Sequence, residues 1–517
     1  MFKNLKLISA FVALILVSVS CSKDSDSTLM SRLPADADLA ILINAGEFAK
    51  SAGGTIKGDA VTLPQEAIDL GFGDESKFAG SGLDLSFPAG WVQNGGSANF
   101  YQIYAVYDNG KFDDFLKNKG FDKQQGIDGY DFYSRSTQSD DDIYNFCALD
   151  NDFVYFFNRR TDNTTVVAEI EAAKSNPLSA TPFGKYVAEG NGGGFVAKAE
   201  AFAKNLPAYL PNDLTGRICA KAKLDSDEAE IEFVLFDENG QKKGFDSAGV
   251  SFDVNAKISG DALAYLPSSE CLVYALALKN VNWDAAVDGA ASRMNLPPMQ
   301  KMMLGMIKEY LKKIDGTVAF GIGFEGGKQE LENVMNGASP LGYMPVTIVV
   351  QTASGQAKGI VGDLQALLGT LGLKSTPMGE GFSVKLPEDY GMLYVREDKN
   401  IVVLSTRSID RYDDNGAARY SDMDDYLGSL ALYLPADYPV MRDCGINDNV
   451  LLYAAADAKD SECKLKLKIT GETGGGIVAR ALHTYSLLKK GLEPIFQQAA
   501  EKSNFTPGNY EEPDELM

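Results

Sequence analysis

Apolar residues recur along this chain in two rhythms: alternating or short continuous runs that predict strands, and wider helical spacings between them. Strand runs include Leu39-Ala40-Ile41-Leu42-Ile43, residues 101–107, Val346-Thr347-Ile348-Val349-Val350 and Ile401-Val402-Val403-Leu404. Helical spacing marks Phe112-Asp113-Asp114-Phe115-Leu116, Leu364-Gln365-Ala366-Leu367-Leu368, residues 298–315 and residues 477–500. Asn109-Gly110 and Asn239-Gly240 read as hairpin turns. Helices separate groups of strands instead of alternating with each one, which predicts α+β: mostly antiparallel sheets with helices packed on one face.

The same phrases recur in order. Leu33-Pro34 before the strand at 39–44 has its counterpart in Leu266-Pro267 before Cys271-Leu272-Val273-Tyr274-Ala275-Leu276. The strands around Phe132 and Tyr155, joined by Asp150-Asn151-Asp152, match those at Leu393-Tyr394-Val395 and 401–404. The hairpin 218–236, with Asp225-Ser226-Asp227 at its turn, matches 451–469 with Asp460-Ser461-Glu462. We therefore expect two related halves, 33–260 and 261–505, with a period too long for a solenoid. A disordered acidic tail is expected at 506–517.

The first twenty residues differ in kind. Lys3 and Lys6 precede an uncharged run over 7–19 and then small residues, the layout of a secretory signal at 1–20. The run is too short for a membrane span of about 20 residues. Val17-Ser18-Val19-Ser20-Cys21 resembles a lipobox, with Ser18 where an aliphatic residue is usual, so Cys21 is the expected lipidation site. Ser22-Lys23-Asp24-Ser25-Asp26-Ser27 looks like the acidic tether of Bacteroidota lipoproteins displayed on the outer face of the outer membrane, and 21–32 is read as a flexible acidic tether. Without Lys3 and Lys6 the chain holds 46 basic against 71 acidic side chains, a net charge of −25. That balance and the absence of a basic stripe exclude nucleic acid as a partner. The even interleaving of Lys464, Lys466 and Lys468 with apolar residues reads as an exposed strand face.

Candidate chemistry is sparse. The single histidine, His483, lies opposite the Val478–Leu482–Tyr485 stripe of its helix and reads as a surface residue. Gly321-Ile322-Gly323-Phe324-Glu325-Gly326-Gly327 fits G-x-G-x-x-G, but the strand alternation runs through the glycines, so it reads as strand and turn. The face of Met299, Met302, Met303 and Met306, continued by Ile307, Tyr310, Leu311 and Ile314, reads as core-facing. Among the acidic clusters, Asp140-Asp141-Asp142 and Asp422 with Asp424-Asp425 have no calcium-loop spacing; Asp413-Asp414-Asn415-Gly416 comes nearest, but Arg411 stands where the first aspartate belongs. Cys147, Cys219, Cys271, Cys444 and Cys463 cannot all pair, and most read as buried free thiols. No catalytic residue, cofactor or metal site is expected from these motifs. Asp246-Ser247-Ala248, and more loosely Asp26-Ser27-Thr28, resemble a Bacteroidota O-glycosylation triplet, which marks Ser247 and Ser27.

Taken with the lipobox and tether, Leu33-Pro34-Ala35-Asp36-Ala37 before a strand and Gly82-Leu83-Asp84-Leu85 before an aromatic strand resemble a family of uncharacterised Bacteroidota surface lipoproteins, a domain of unknown function. The resemblance implies no activity. The expectation is a non-catalytic binding or accessory protein, held in the outer membrane by lipid on Cys21 and facing outward, with a glycan or another envelope protein as partner. A carboxylate-dependent glycan hydrolase and a periplasm-facing assembly factor are the alternatives.

Overall fold

The computed structural model describes residues 29–69, 78–95, 99–135, 145–158, 162–200, 215–244, 253–293, 298–324, 326–335, 343–387, 391–408, 419–459, 461–470 and 475–502. The signal at 1–20, Cys21, residues 22–28 of the tether with Ser27, Ser247, Asp140–142, Asp413–Gly416 and the tail at 506–517 lie outside them. Residues 29–32, expected as the end of a flexible tether, are instead part of the fold, with Leu29 and Met30 buried and Arg32 paired with Asp150.

Twenty strands of the described residues form one antiparallel sheet. The first ten are β1 (Leu39–Ile43), β2 (Ala89–Gln93), β3 (Phe100–Ala105), β4 (Asp122–Lys123), β5 (Tyr130–Ser134), β6 (Phe146–Asp150), β7 (Phe153–Phe157), β8 (Gly194–Lys198), β9 (Arg217–Leu224) and β10 (Glu228–Phe236). The next ten are β11 (Glu270–Leu278), β12 (Ile314–Gly323), β13 (Val346–Thr352), β14 (Ser375–Pro377), β15 (Gly381–Lys385), β16 (Met392–Asp398), β17 (Ile401–Ser405), β18 (Gly428–Leu434), β19 (Val450–Lys459) and β20 (Glu462–Thr470). From β10 outward the order is β10-β9-β8-β1-β2-β3-β7-β6-β5-β4. From β20 outward it is β20-β19-β18-β11-β12-β13-β17-β16-β15-β14. Both runs follow one connectivity, and β10 pairs with β20 to join them. A separate small hairpin pairs Thr55–Lys57 with Ala60–Thr62.

The expectation of separate sheets with helices on one face is corrected here: the sheet is continuous and both faces are covered. Strands such as Phe146–Asp150 and Phe153–Phe157 are buried at every position, as strands covered on both sides must be. On one face, Phe132, Ala148, Tyr155 and Phe157 pack under helices α4 (Asn163–Ser175) and α5 (Pro182–Val187). On the same face of the second run, Val273, Val349, Ile401 and Val403 pack under α6 (Gly260–Leu263) and the turn at Ser421–Met423. On the other face, Tyr133, Cys147, Val154 and Phe156 pack under α3 (Asn109–Asn118). There too, Phe382, Val384, Val395 and Val402 pack under α10 (Ala357–Thr370).

Helices α1 (Ala45–Ser51) and α2 (Gln65–Asp69) follow β1, whereas α7 (Trp283–Arg293) and α8 (Pro298–Leu311) follow β11. Short helices α9 (Lys328–Met335) and α11 (Pro439–Asp443) and the long α12 (Ile477–Lys502) complete the described set. Asn109-Gly110 opens α3 instead of turning a hairpin, because the Asp108 carboxylate accepts from the backbone amides of Gly110 and Lys111, each at 3.1 Å. Asn239-Gly240 does turn the chain, with Gly240 at φ +79° and Phe236 bridged to Lys242.

Candidate functional site

The two sheet runs meet at β10 and β20, whose alternation gives each strand one charged and one apolar face. Glu228, Glu230 and Glu232 lie directly opposite Lys468, Lys466 and Lys464, while Ala229, Ile231 and Phe233 lie opposite Leu467, Leu465 and Cys463. Lys464 Nζ reaches Glu232 Oε1 at 2.5 Å, and Lys466 Nζ reaches Glu228 Oε1 at 3.2 Å and Glu230 Oε2 at 3.7 Å. From β9, Lys221 Nζ sits 2.9 Å from Glu232 Oε2 and Lys223 Nζ 3.5 Å from Glu230 Oε1. Across β20, Asp457 of β19 faces Lys464 and pairs with Lys257. The result is a charged strip between the two apolar cores of that face.

Glu232 and Lys221 are buried, with 7% of each side chain exposed. Burial works to raise the Glu232 pKa, but hydrogen bonds from Lys464 and Lys221 override it and bring the carboxyl down from 4.5 to about 2. Burial opposes the charge on Lys221, yet the hydrogen bonds it donates to Glu189 and Glu232 hold its pKa above the usual lysine value. The Tyr186 ring lies 4.3 Å from Lys221 Nζ and adds a cation–π contact. Lys464 is also raised, chiefly by Glu232. Groups held charged in this way suit electrostatic pairing and are poor proton donors or acceptors near neutral pH.

On the opposite face, α12 lies over Ala229, Leu467 and Ile469 and reaches Ala52 and Ala67 beside α1 and α2. The Val478 amide donates to Ser51 Oγ at 3.3 Å. An open pocket of about 320 Å³ lies here, lined by residues that include Pro64, Glu66, Leu482 and His483. His483, read as a surface residue, lies half-exposed at the rim of this pocket, with its Nε2 3.6 Å from Asp448 Oδ2. Tyr485, expected on the buried stripe with Val478 and Leu482, is exposed.

Two further polar clusters are built from long-range partners. In the first run Asp150 joins Arg32 and Lys174, with Lys174 Nζ 2.8 Å from Asp150 Oδ2 and 2.9 Å from Glu171 Oε1. Hydrogen bonds from Tyr130 and Lys174 hold Glu171 below the usual carboxylate range. In the second run, buried Glu270 accepts from Thr347 Oγ1 at 3.0 Å, and Thr347 and Ser405 share a hydrogen bond at 3.1 Å.

The other sequence candidates do not converge on either junction face. The glycine run ends β12 at Gly323 and α9 begins at Lys328, so a helix does follow it after all. The amides at that helix start are taken by carboxylates, Gly327 N by Glu330 at 2.8 Å and Lys328 N by Asp443 at 3.2 Å. Along the methionine-rich face, Ile307 and Tyr310 are exposed whereas Leu311 and Ile314 are half-buried, so its described part is core-facing only at its C-terminal end. The five cysteines are free, and Cys147, Cys219 and Cys271 are buried. Among the described residues no group of three or more His, Cys, Asp or Glu is placed to hold a metal ion. The Glu row on β10 was missed by sequence reasoning; its signal was an alternation as regular as that of the Lys row. Comparison with protein-family models, with characterised proteins and with solved structures finds no match.

Proposed function

We propose that this chain is a lipid-anchored cell-envelope protein of non-catalytic binding or accessory role, built from two related α+β halves at 33–260 and 261–505. The shared strand order of the two runs supports the halves, and local details agree with it. Buried Leu29, Met30 and Leu33 before β1 have the spacing of buried Ala262, Leu263 and Leu266 before β11. Arg32 donates to Asp150 at the end of β6, and Tyr265 OH donates to Asp398 at the end of β16, at 2.9 Å in the latter case. The residues that follow, Asn151 and Lys399, both turn with positive φ, +49° and +55°.

One observation carries the non-catalytic reading: the ionisable groups gathered where the halves meet are locked as charged pairs. A glycan hydrolase needs a carboxyl held protonated near neutral pH beside a second acid. Glu232 at the junction, and Glu171 in the separate cluster of the first run, are instead held down. The anchor reading rests on the signal layout and Cys21, and the core begins close behind. Only residues 22–28 separate Cys21 from buried Leu29, at most ~25 Å of extended chain.

Binding is tested with the soluble form lacking residues 1–21, on a glycan array in parallel with hydrolysis assays. Binding without turnover is expected, and turnover overturns the reading in favour of the hydrolase. Labelling cells with a palmitate analogue must mark the wild type and not Cys21→Ala. Protease shaving of intact cells must degrade the protein; protection there favours the periplasm-facing assembly factor.

A further inference from the structure

We infer that the Glu row of β10 and the Lys row of β20 form a recognition surface that accepts the unlike half and rejects the like half of a second copy of this chain. The inference rests on the two-halves reading. In the hairpin β9–β10, Ala222 pairs with Ile231, and in β19–β20, Ala456 pairs with Leu465; each pair is nine residues apart in sequence. The registers of the whole run agree with this: Leu39, Ala197, Ile218 and Leu235 pair in succession as Leu272, Leu432, Leu452 and Ile469 do, so Ile231 and Leu465 hold equivalent positions, and they also pair with each other across the junction. Equivalent residues meeting face to face define a two-fold contact, the geometry in which one half could equally pair with its own kind.

The charged face removes that freedom. With Ile231 equivalent to Leu465, Glu230 is equivalent to Lys464 and Glu232 to Lys466. In the chain as it is, Glu230 meets Lys466 and Glu232 meets Lys464. Were two first halves to pair, Glu230 of each would meet Glu232 of the other; two second halves would set Lys464 against Lys466 in the same way. Like charges directly opposite destabilise a strand pair. Lys221 and Lys223 would soften the acidic case, since each already contacts the Glu row. The Lys row has Asp457 facing it from β19, and Glu462 would stand opposite Lys468 in that pairing, so each like pairing keeps two opposed like-charge contacts beside partial compensation. The apolar face discriminates little, because Ile231 and Leu465 would accept either neighbour. Selection thus resides in charge, by repulsion as much as attraction.

The test uses the soluble chain from residue 22 onward in three variants: Glu230→Lys with Glu232→Lys, Lys464→Glu with Lys466→Glu, and all four together. Each double variant is expected to unfold at lower temperature and to exchange amide hydrogens faster over 228–236 and 462–470. The fourfold variant should recover most of both losses. Unfolded and refolded together, the two double variants should yield dimers that neither forms alone, because each then offers the edge the other needs. A fourfold variant no better than the doubles, or dimers as abundant in either double variant alone as in the mixture, overturns the inference. The two-halves reading is judged separately, from a full chain carrying a protease site inserted between Gly244 and Asp253, ahead of the 260/261 boundary because Ala256 and Ile258 already pack in the second core. Two cooperative transitions after cutting support it whatever the charge variants do, and fragments with no transition of their own overturn it.

Discussion

Asp150 shows how much a single side chain can hold when its partners come from distant sequence. It ends β6 almost fully buried and joins Arg32, which precedes β1, to Lys174, near the end of α4. Removing it leaves two partly buried cations facing each other, and breaking a buried ion pair costs more than the pair contributes. Asp150→Ala should therefore destabilise the protein by about 2–3 kcal/mol, given that the cations retain some solvent, measurable as a lower urea midpoint. Glu232 makes a different demand, on pH. Its folded pKa, about 2, lies below the ordinary 4.5, so its stabilisation is present above about pH 4.5 and is lost as pH falls toward 2. Glu232→Gln should flatten that part of the stability profile in acid unfolding, leaving the midpoint at pH 7 lower than wild type. At this scale the sequence was half legible. The alternation of Lys464, Lys466 and Lys468 marks a strand face, but its pairing with residues more than 230 positions earlier leaves no local trace.

Elements were legible where one principle dominated. The apolar runs at 39–43, 346–352 and 401–405 and the helix at 477–502 lie close to where periodicity places them. Asn109-Gly110 was misread because turn chemistry and capping chemistry share residue types; Asp108, one position earlier, decided for a helix. The glycine of Gly82-Leu83-Asp84-Leu85 belongs to the same corner. Its φ is +72°, and a Cβ there would stand 2.3 Å from the Asp108 carbonyl oxygen. Asp108→Ala should cost about 1 kcal/mol, the usual value of an N-cap. Gly82→Ala should cost more, because it strains the backbone and displaces the start of α3 together. Thermal unfolding of the two variants should rank them in that order. That helices cover both faces was foreshadowed by Phe146-Cys147-Ala148-Leu149 and Phe153-Val154-Tyr155-Phe156-Phe157, whose apolar character does not alternate.

At the scale of the whole molecule, the twenty-stranded sheet of the described residues carries at its middle a charged strip on one side and an apolar seam under α12 on the other. The seam ties the start of α12 to α1 and α2, so a helix that follows the second run helps cover the first. The segment before β1 is equally committed: Leu29, Met30 and Leu33 are almost wholly buried in the first core. A soluble form starting at Leu29 should match the stability of one starting at Ser22, whereas one starting at Pro34 should lose about 5 kcal/mol, the burial of three large side chains. Chemical denaturation of the three forms checks this. The pairing of β10 with β20 also bears on ancestry. A dimer of identical units must present the same edge twice and cannot place acids on one side and lysines on the other. If the two halves descend from such a dimer, joining them through 245–252 would have freed each edge to change without the other. It would also have replaced a concentration-dependent encounter with one at an effective concentration of roughly millimolar. The asymmetry of the junction would then be a record of fusion: the Glu and Lys rows could diverge only after the two edges had become separate positions in one gene.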